Sequence, residues 1–235
     1  MPQHRLFRII DKAIWEYKMI SQGDKILVGL SGGKDSLALL HYLVKRRMQQ
    51  RESFDITAFH IKTDITSGIS NNLISIVNSW DVPLIIKEIS VLERLKSGKK
   101  MNCWWCSTQR RTELNNYAME NSFNKIALGH HMDDILETLL MNMLQKGELS
   151  TMSPVVNYRK YPVKVIRPLC FSSEQRIIDY CTENNFISET CTCDFQSNSF
   201  RKEARKKLSL ITDGDEQVKL KMLHSLKNVN LECLL

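Results

Sequence analysis

The apolar residues of this chain follow two rhythms. From residue 5 to 19, Leu6, Ile9, Ile10, Ala13, Ile14 and Tyr17 recur at helical spacing with Arg and Lys between them. Ser21-Gln22-Gly23-Asp24 closes that helix. The continuous run Ile26-Leu27-Val28-Gly29-Leu30 then predicts a buried strand over 25–30. Leu37, Leu39, Leu40 and Leu43 predict a helix over 34–48. A strand over 54–61, a helix over 68–80 and a strand over 82–86 come next. The polar, lysine-rich stretch 91–102 predicts a mobile loop. A helical pattern runs from Cys106 to Asn121, then a strand over 125–129, a helix over 133–145 and a strand over 163–166. Helices are predicted at 173–184, 198–209 and about 215–228, with a loop over 187–197.

Strands alternating with helices predict an α/β fold: a doubly wound, mostly parallel five-stranded sheet with flanking helices. The predicted organisation is an N-terminal helix at 1–22, the sheet domain at 23–170 and a small helical portion at 171–235. Such sheets bind ligands at the carboxyl ends of their strands. Two unusual stretches lie at that edge, one after the first strand and one after the fourth.

The first is Ser31-Gly32-Gly33-Lys34-Asp35-Ser36. Glycines allow a tight turn and a close backbone approach to a ligand. The helix that begins at about Lys34 offers free N–H groups and a positive dipole end to an anion. Ser31 and Ser36 add hydroxyls and Lys34 adds a cation, so the stretch reads as a phosphate cradle. Its spacing is neither that of the Walker loop nor that of Gly-x-Gly-x-x-Gly. It resembles the pyrophosphate loop of N-type ATP pyrophosphatases, enzymes that attack the α-phosphorus of ATP and release pyrophosphate.

The second stretch is His130-His131-Met132-Asp133-Asp134. Carboxylates opening a helix favour its dipole by ~0.3–1 kcal/mol each. Beside a phosphate cradle they could also hold a Mg²⁺ that bridges ATP phosphates, or move a proton.

Composition narrows the class. The 235 residues are 43% hydrophobic and 25% charged, as in globular domains. No apolar run approaches the ~18–20 residues of a membrane span. The N-terminus has no signal-peptide core, so a cytoplasmic protein is expected. Net charge is +7 and the isoelectric point about 9.0, which suits a polyanionic partner as well as a basic surface kept for solubility. The seven cysteines are odd in number, and without an export signal a disulfide framework is not expected.

Cys103-Trp104-Trp105-Cys106 leads into Arg110-Arg111. A helix start and nearby cations both favour the thiolate. A single C-x-x-C fits half a zinc site, a redox pair or part of an iron–sulfur site. The two tryptophans could pack in the core, stack on a base or shield a cluster.

Together these pieces resemble one family, the tRNA 2-thiocytidine synthetases, which thiolate cytidine 32 in the tRNA anticodon loop. The likeness includes Ser31–Ser36, Cys103-x-x-Cys106 with Arg110-Arg111, and Lys125-Ile-Ala-Leu-Gly-His-His-x-Asp-Asp-Ile-Leu136. It continues through Val165-Ile-Arg-Pro-Leu169 and Cys193-Asp-Phe-Gln196-x-Asn198-x-x-Arg201. The resemblance implies a [4Fe–4S] cluster held by Cys103, Cys106 and Cys193. The family often has a second C-x-x-C at the last point, where this chain has Cys191-x-Cys193, so Cys191 competes as third ligand. The resemblance assigns ATP binding to Ser31, Gly32, Gly33, Lys34, Asp35, Ser36, Gly129 and His130. Asp134, secondarily Asp133, and Arg110 become the catalytic candidates. The implied chemistry adenylates the C2 oxygen of the cytosine, with Mg²⁺ beside ATP, and replaces that oxygen by sulfur. A sulfur donor such as a cysteine desulfurase and a homodimer also follow from the resemblance. Lys96–Lys100, Arg201–Lys207 and Lys45–Arg47 are candidate tRNA-backbone contacts, although a solvated face explains any one of them. The alternatives are a tRNA 2-thiouridine synthetase, a lysidine-type ligase, and a non-enzymatic zinc- or cluster-bearing RNA-binding protein.

Overall fold

The computed structural model describes residues 3–50, 52–66, 68–158, 160–186 and 199–233. The chain runs α1 (Arg5–Glu16), β1 (Asp24–Gly29), α2 (Lys34–Met48), β2 (Phe54–Thr63), α3 (Asn71–Ser79), β3 (Leu84–Ile89), α4 (Cys103–Glu120) and β4 (Lys125–Ala127). It continues with α5 (Met132–Lys146), β5 (Val155–Asn157), β6 (Lys164–Ile166), α6 (Glu174–Glu183), α7 (Ser199–Thr212) and α8 (Glu216–Ser225). The strands form one sheet in the order β3-β2-β1-β4-β6-β5. All neighbours are parallel except β5, which pairs antiparallel with β6.

That order reverses direction between β1 and β4. From β1 the chain crosses to β2 and β3 on one side, then returns to β4 on the other. The carboxyl ends of β1 and β4 therefore flank the switch point, where an open α/β sheet has its crevice.

The side-chain alternation of the strands divides the core. Ile26 and Val28 of β1 and Ile56 and Ala58 of β2 face one cluster, with Leu37 and Leu40 of α2, Leu73 of α3, Leu136 of α5 and Ile177 of α6. Leu27, Phe59 and Ile61 face the other, with Leu114 and Ala118 of α4. Ile26, Leu27 and Val28 are all fully buried. A central strand covered on both faces explains why its sequence is an unbroken apolar run.

The sheet has six strands rather than the expected five. The extra strand, β5, is a three-residue edge with no buried position. It is too short to show a period of two, and its pairing to β6 creates it. Helix α4 begins at Cys103, three residues before its apolar pattern sets in at Cys106, because the Asn102 side chain accepts from the Trp105 N–H at 2.9 Å and caps it. The predicted loop at 91–102 is present as turns. The predicted loop at 187–197 lies outside the described residues.

Two buried polar contacts tie the layers. Lys125 Nζ meets Asp24 Oδ2 at 2.5 Å, joining β4 to β1 at the sheet edge away from the crevice. His41 of α2 stacks on Trp80 with ring centroids 4.7 Å apart, and its Nδ1 lies 2.6 Å from the Tyr180 hydroxyl of α6. Burial, with a smaller push from Lys45, pulls His41 down to about 4, so it packs as a neutral ring. Among the described residues no helix is long and apolar enough to cross a membrane.

Candidate active site

The turn after β1 closes on itself. Gly32 has φ +90°, the left-handed region that glycine enters without steric cost. The Ser36 hydroxyl donates to the Gly33 carbonyl at 2.9 Å, and Ser36 Oγ accepts from the Ser31 N–H at 3.1 Å. Ser31 Oγ accepts from the Gly33 N–H at 3.2 Å and lies 3.1 Å from Ser36 Oγ. His60 Nδ1 on β2 donates to the Leu30 carbonyl at 2.8 Å and fixes the start of the turn. Gly33 is the N-cap of α2 and no side chain caps it. The first-turn N–H groups thus face the crevice with the dipole behind them.

The strand β4 delivers Gly129 against this same turn. A Cβ on Gly129 would stand 2.9 Å from the Ser36 nitrogen and 3.0 Å from the Asp35 carbonyl carbon. Glycine here allows the two crevice-forming segments to touch backbone to backbone.

Lys34 is anchored by carboxylates. Its Nζ lies 2.8 Å from Glu174 Oε1 on α6 and 3.3 Å from Asp35 Oδ1. Burial opposes its charge, but Glu174 and Asp35 outweigh that and hold its pKa above the usual lysine range. Burial also acts to raise Glu174, and Lys34 overcomes it and holds the carboxylate below its usual range.

The carboxylates opening α5 are tied to their neighbours. Asp133 accepts from the Glu174 N–H at 2.8 Å and from Lys219 Nζ of α8 at 2.7 Å. Burial alone would raise its pKa, yet these partners hold it low. Asp134 accepts from the His131 N–H at 3.1 Å and from Arg201 of α7 at 3.1 Å. Arg201 also reaches the buried Glu137, as does Arg205 at 2.6 Å. Asp35 differs. Its buried Oδ1 has only long contacts, 3.3 Å to Lys34 Nζ and 3.9 Å to His131 Nε2, and burial raises its pKa against the pull of His131 and Lys34. The buried Nδ1 atoms of His130 and His131 lack hydrogen-bond partners. These two ring nitrogens, with the weakly held Asp35 oxygen, fit a polar ligand at the crevice.

A cleft of ≈ 210 Å³ opens beside the turn, lined by Ser31 and His130 and walled by Phe59, Ile61, Leu114 and Leu128. Ser107, Arg110 and Arg111 of α4 line its far side. Apolar walls with a few polar groups suit a planar heterocycle, and the arginines suit its phosphates. Burial holds His130 neutral, pulling it down to about 4.

Cys103 is half-buried and Cys106 buried, three residues apart on the first turn of α4 and so on one helix face. Arg110 is one turn further along. Two soft thiol donors at a helix N-terminus suit an iron–sulfur edge. Cys191 and Cys193 lie outside the described residues. Among the described residues no group of three or more metal-ligating side chains occurs.

The structure thus places Ser31–Ser36, Gly129, His130, Asp133 and Asp134 at one crevice, with Arg110 on the wall of its cleft. Sequence reasoning missed Glu174, Glu137 and Lys219, and read Arg205 as an RNA contact rather than a partner of Glu137. Of the candidate RNA contacts, Arg46 is buried against Asp11 and Glu52, and Arg201 and Arg205 are engaged by α5. Lys96, Lys99 and Lys100 are exposed.

A PP-loop domain matches residues 3–209. A tRNA-cytidine(32) 2-sulfurtransferase of Anaeromyxobacter dehalogenans (strain 2CP-C) is 35% identical over 231 residues, covering 97% of this chain and 80% of that protein. The chain belongs to the tRNA-cytidine(32) 2-sulfurtransferase family of PP-loop proteins. This is a family of sulfur-transferring enzymes. The family protein of Coxiella burnetii (strain RSA 493 / Nine Mile phase I) is 34% identical over 232 residues, 97% of this chain and 90% of the relative. In fold, the chain is similar to a U34-tRNA thiolase from Methanococcus maripaludis solved with its [4Fe–4S] cluster. The TM-score is 0.77 at 21% identity, over 98% of this chain and 78% of that one.

Proposed function

We propose that this 2-sulfurtransferase family member converts cytidine 32 of tRNA to 2-thiocytidine, consuming ATP and releasing AMP and pyrophosphate. The observation that carries the proposal is the single crevice in which the PP-loop turn, His130 and Arg110 meet, one helical turn from Cys106.

The residues divide the work as follows. The open N–H groups of α2 and the hydroxyls of Ser31 and Ser36 receive the phosphates of ATP. Lys34 exchanges Glu174 for phosphate and offsets the charge that develops on departing pyrophosphate. Mg²⁺ accompanying ATP would meet Asp35, whose Oδ1 has only long contacts to Lys34 and His131. Asp134, steadied by Arg201, is placed to hold that ion or take a proton, and Asp133 holds α5, α6 and α8 in register. The adenine ring occupies the apolar cleft, and Arg110 and Arg111 hold phosphate or RNA at its rim.

The cytosine C2 oxygen attacks the α-phosphorus, and the bond to the pyrophosphate oxygen breaks. Sulfur then bonds to C2, the C2–O bond breaks, and AMP departs with the oxygen. An amide-like oxygen is a poor leaving group, and adenylation makes it a good one. A [4Fe–4S] cluster held by Cys103, Cys106 and Cys193 or Cys191 would supply an open iron site that presents the sulfur. A donor such as a cysteine desulfurase supplies the sulfur as a persulfide, two electrons from an external reductant bring it to the sulfide level that bonds to C2, and the reaction takes place in the cytoplasm on the anticodon loop.

Nucleoside analysis of tRNA from cells lacking this protein tests the reading. The expected result is loss of 2-thiocytidine with thiouridines intact. Loss of a thiouridine instead would select the uridine thiolase.

A further inference from the structure

The two tryptophans of α4 have different roles. Trp105 turns inward, and its indole N–H donates to the Val91 carbonyl at 3.0 Å, tying the 91–102 turn to the helix. Trp104 turns outward and is 73% exposed. A single exposed apolar side chain is ordinary on a protein surface, so exposure alone says nothing. Its position does. Residues 104, 107, 111 and 114 repeat at helical spacing and share one face of α4. Ser107, Arg111 and Leu114 line the cleft. Trp104 therefore extends the cleft wall past its mouth, at about 5 Å of helix rise from Ser107. Exposed Lys96, Lys99 and Lys100 lie in the segment that joins Val91 to α4, directly before Trp104 in the chain.

An aromatic face beside a basic track is the physical makeup of a single-stranded nucleic-acid platform. Resting on the tRNA reading above, we infer that Trp104 stacks on an unpaired anticodon-loop base next to the target, with Lys96, Lys99 and Lys100 on the adjoining phosphates. A base drawn into the crevice gives up its own stacking, and its neighbour loses a stacking partner too. The Trp104 ring replaces that lost surface without reading base identity. Paired RNA offers no such face, so the contact favours a loop over a helix.

Anaerobic binding of the cluster-loaded full chain to an anticodon stem-loop, and to a blunt RNA duplex of equal length, tests this. Trp104→Ala is expected to weaken stem-loop binding by about 5- to 150-fold, the range of one base–aromatic stack. Trp104→Phe should restore most of that loss, and neither variant should alter duplex binding. The double variant Lys99→Ala with Lys100→Ala should lower the salt slope of stem-loop binding by roughly 1.4. Unchanged affinity in Trp104→Ala, or an equal loss on duplex and stem-loop, would overturn the platform while leaving the enzymatic reading intact. Wild-type protein that does not prefer the stem-loop to the duplex would overturn both. Because Trp104 is exposed, its variants should keep the wild-type circular dichroism and melting midpoint, so a binding loss reports the contact.

Discussion

Cys103→Ser is expected to abolish 2-thiocytidine formation, with a fall of at least about 10³-fold given a rate that depends on an assembled metal site. The thiol is half-buried on the first turn of α4, and a hydroxyl of nearly the same size replaces it. Folding should therefore be preserved, with a stability change inside about 1 kcal/mol. Iron content and the broad visible band of the anaerobic protein should fall with activity. Cys106→Ser should show the same chemical loss plus a destabilisation of about 1–3 kcal/mol, because its oxygen would be buried in the apolar cluster under α4 that also holds Val91 and Leu114. A control is Cys170→Ser. Cys170 is fully buried away from α4, and burial pushes its thiol up to about 12, so it serves packing rather than thiolate chemistry. That variant should lose stability and retain its iron. Full thiolation by Cys103→Ser would remove Cys103 from the chemistry.

Gly129→Ala should lower kcat/KM for ATP by about 10²-fold, the effect of a ~1 Å misplacement of a binding element. The added methyl would sit 2.9 Å from the Ser36 nitrogen and 3.0 Å from the Asp35 carbonyl carbon. Both neighbours are backbone, so no rotamer change relieves the clash. Either β4 or the first turn of α2 must move, and α2 is the element whose N–H groups receive phosphate. Overpacking of this kind costs about 1–3 kcal/mol of stability. The effect comes from that close backbone approach. Gly98 has open space around its Cβ position, and substitution there strains only its own φ of +77°. Single-turnover and steady-state rates at varied ATP measure kcat/KM, and calorimetric titration with a non-hydrolysable ATP analogue reads the binding part of the loss. Wild-type affinity in Gly129→Ala would show that the contact between β4 and α2 does not shape the phosphate site.

The parts of this site that sequence makes legible are local. The run Ile26–Val28, the turn Ser31–Ser36 and the helix after it are neighbours in the chain, and their chemistry follows from order and residue type. The resemblance adds Gly129 and the cysteines, which composition could not connect to ATP. What stays hidden is long-range pairing. Lys34 and Glu174 are 140 positions apart and meet because α6 packs on α2. Arg201 and Arg205 reach Glu137 across 64 and 68 positions because α7 docks on α5. No period or motif encodes such pairs. The strand β5 was invisible for a different reason, since its three residues gain strand character only from their partner. The start of α4 was legible in part: the C-x-x-C was read as opening a helix although the apolar pattern begins only at Cys106, and Asn102 supplies the N-cap that fixes the start at Cys103. Trp105 and Trp104 show the limit of composition, because adjacent identical residues divide between anchoring a turn and facing solvent.

The central claim is that one crevice both adenylates an oxygen and exchanges it for sulfur. An anticodon stem-loop carrying ¹⁸O at C2 of the target cytidine tests it most directly. After single turnover with ATP and a sulfur source, mass spectrometry of the AMP reads the outcome. The account predicts one ¹⁸O in AMP for every 2-thiocytidine formed. Unlabelled AMP alongside 2-thiocytidine would contradict it.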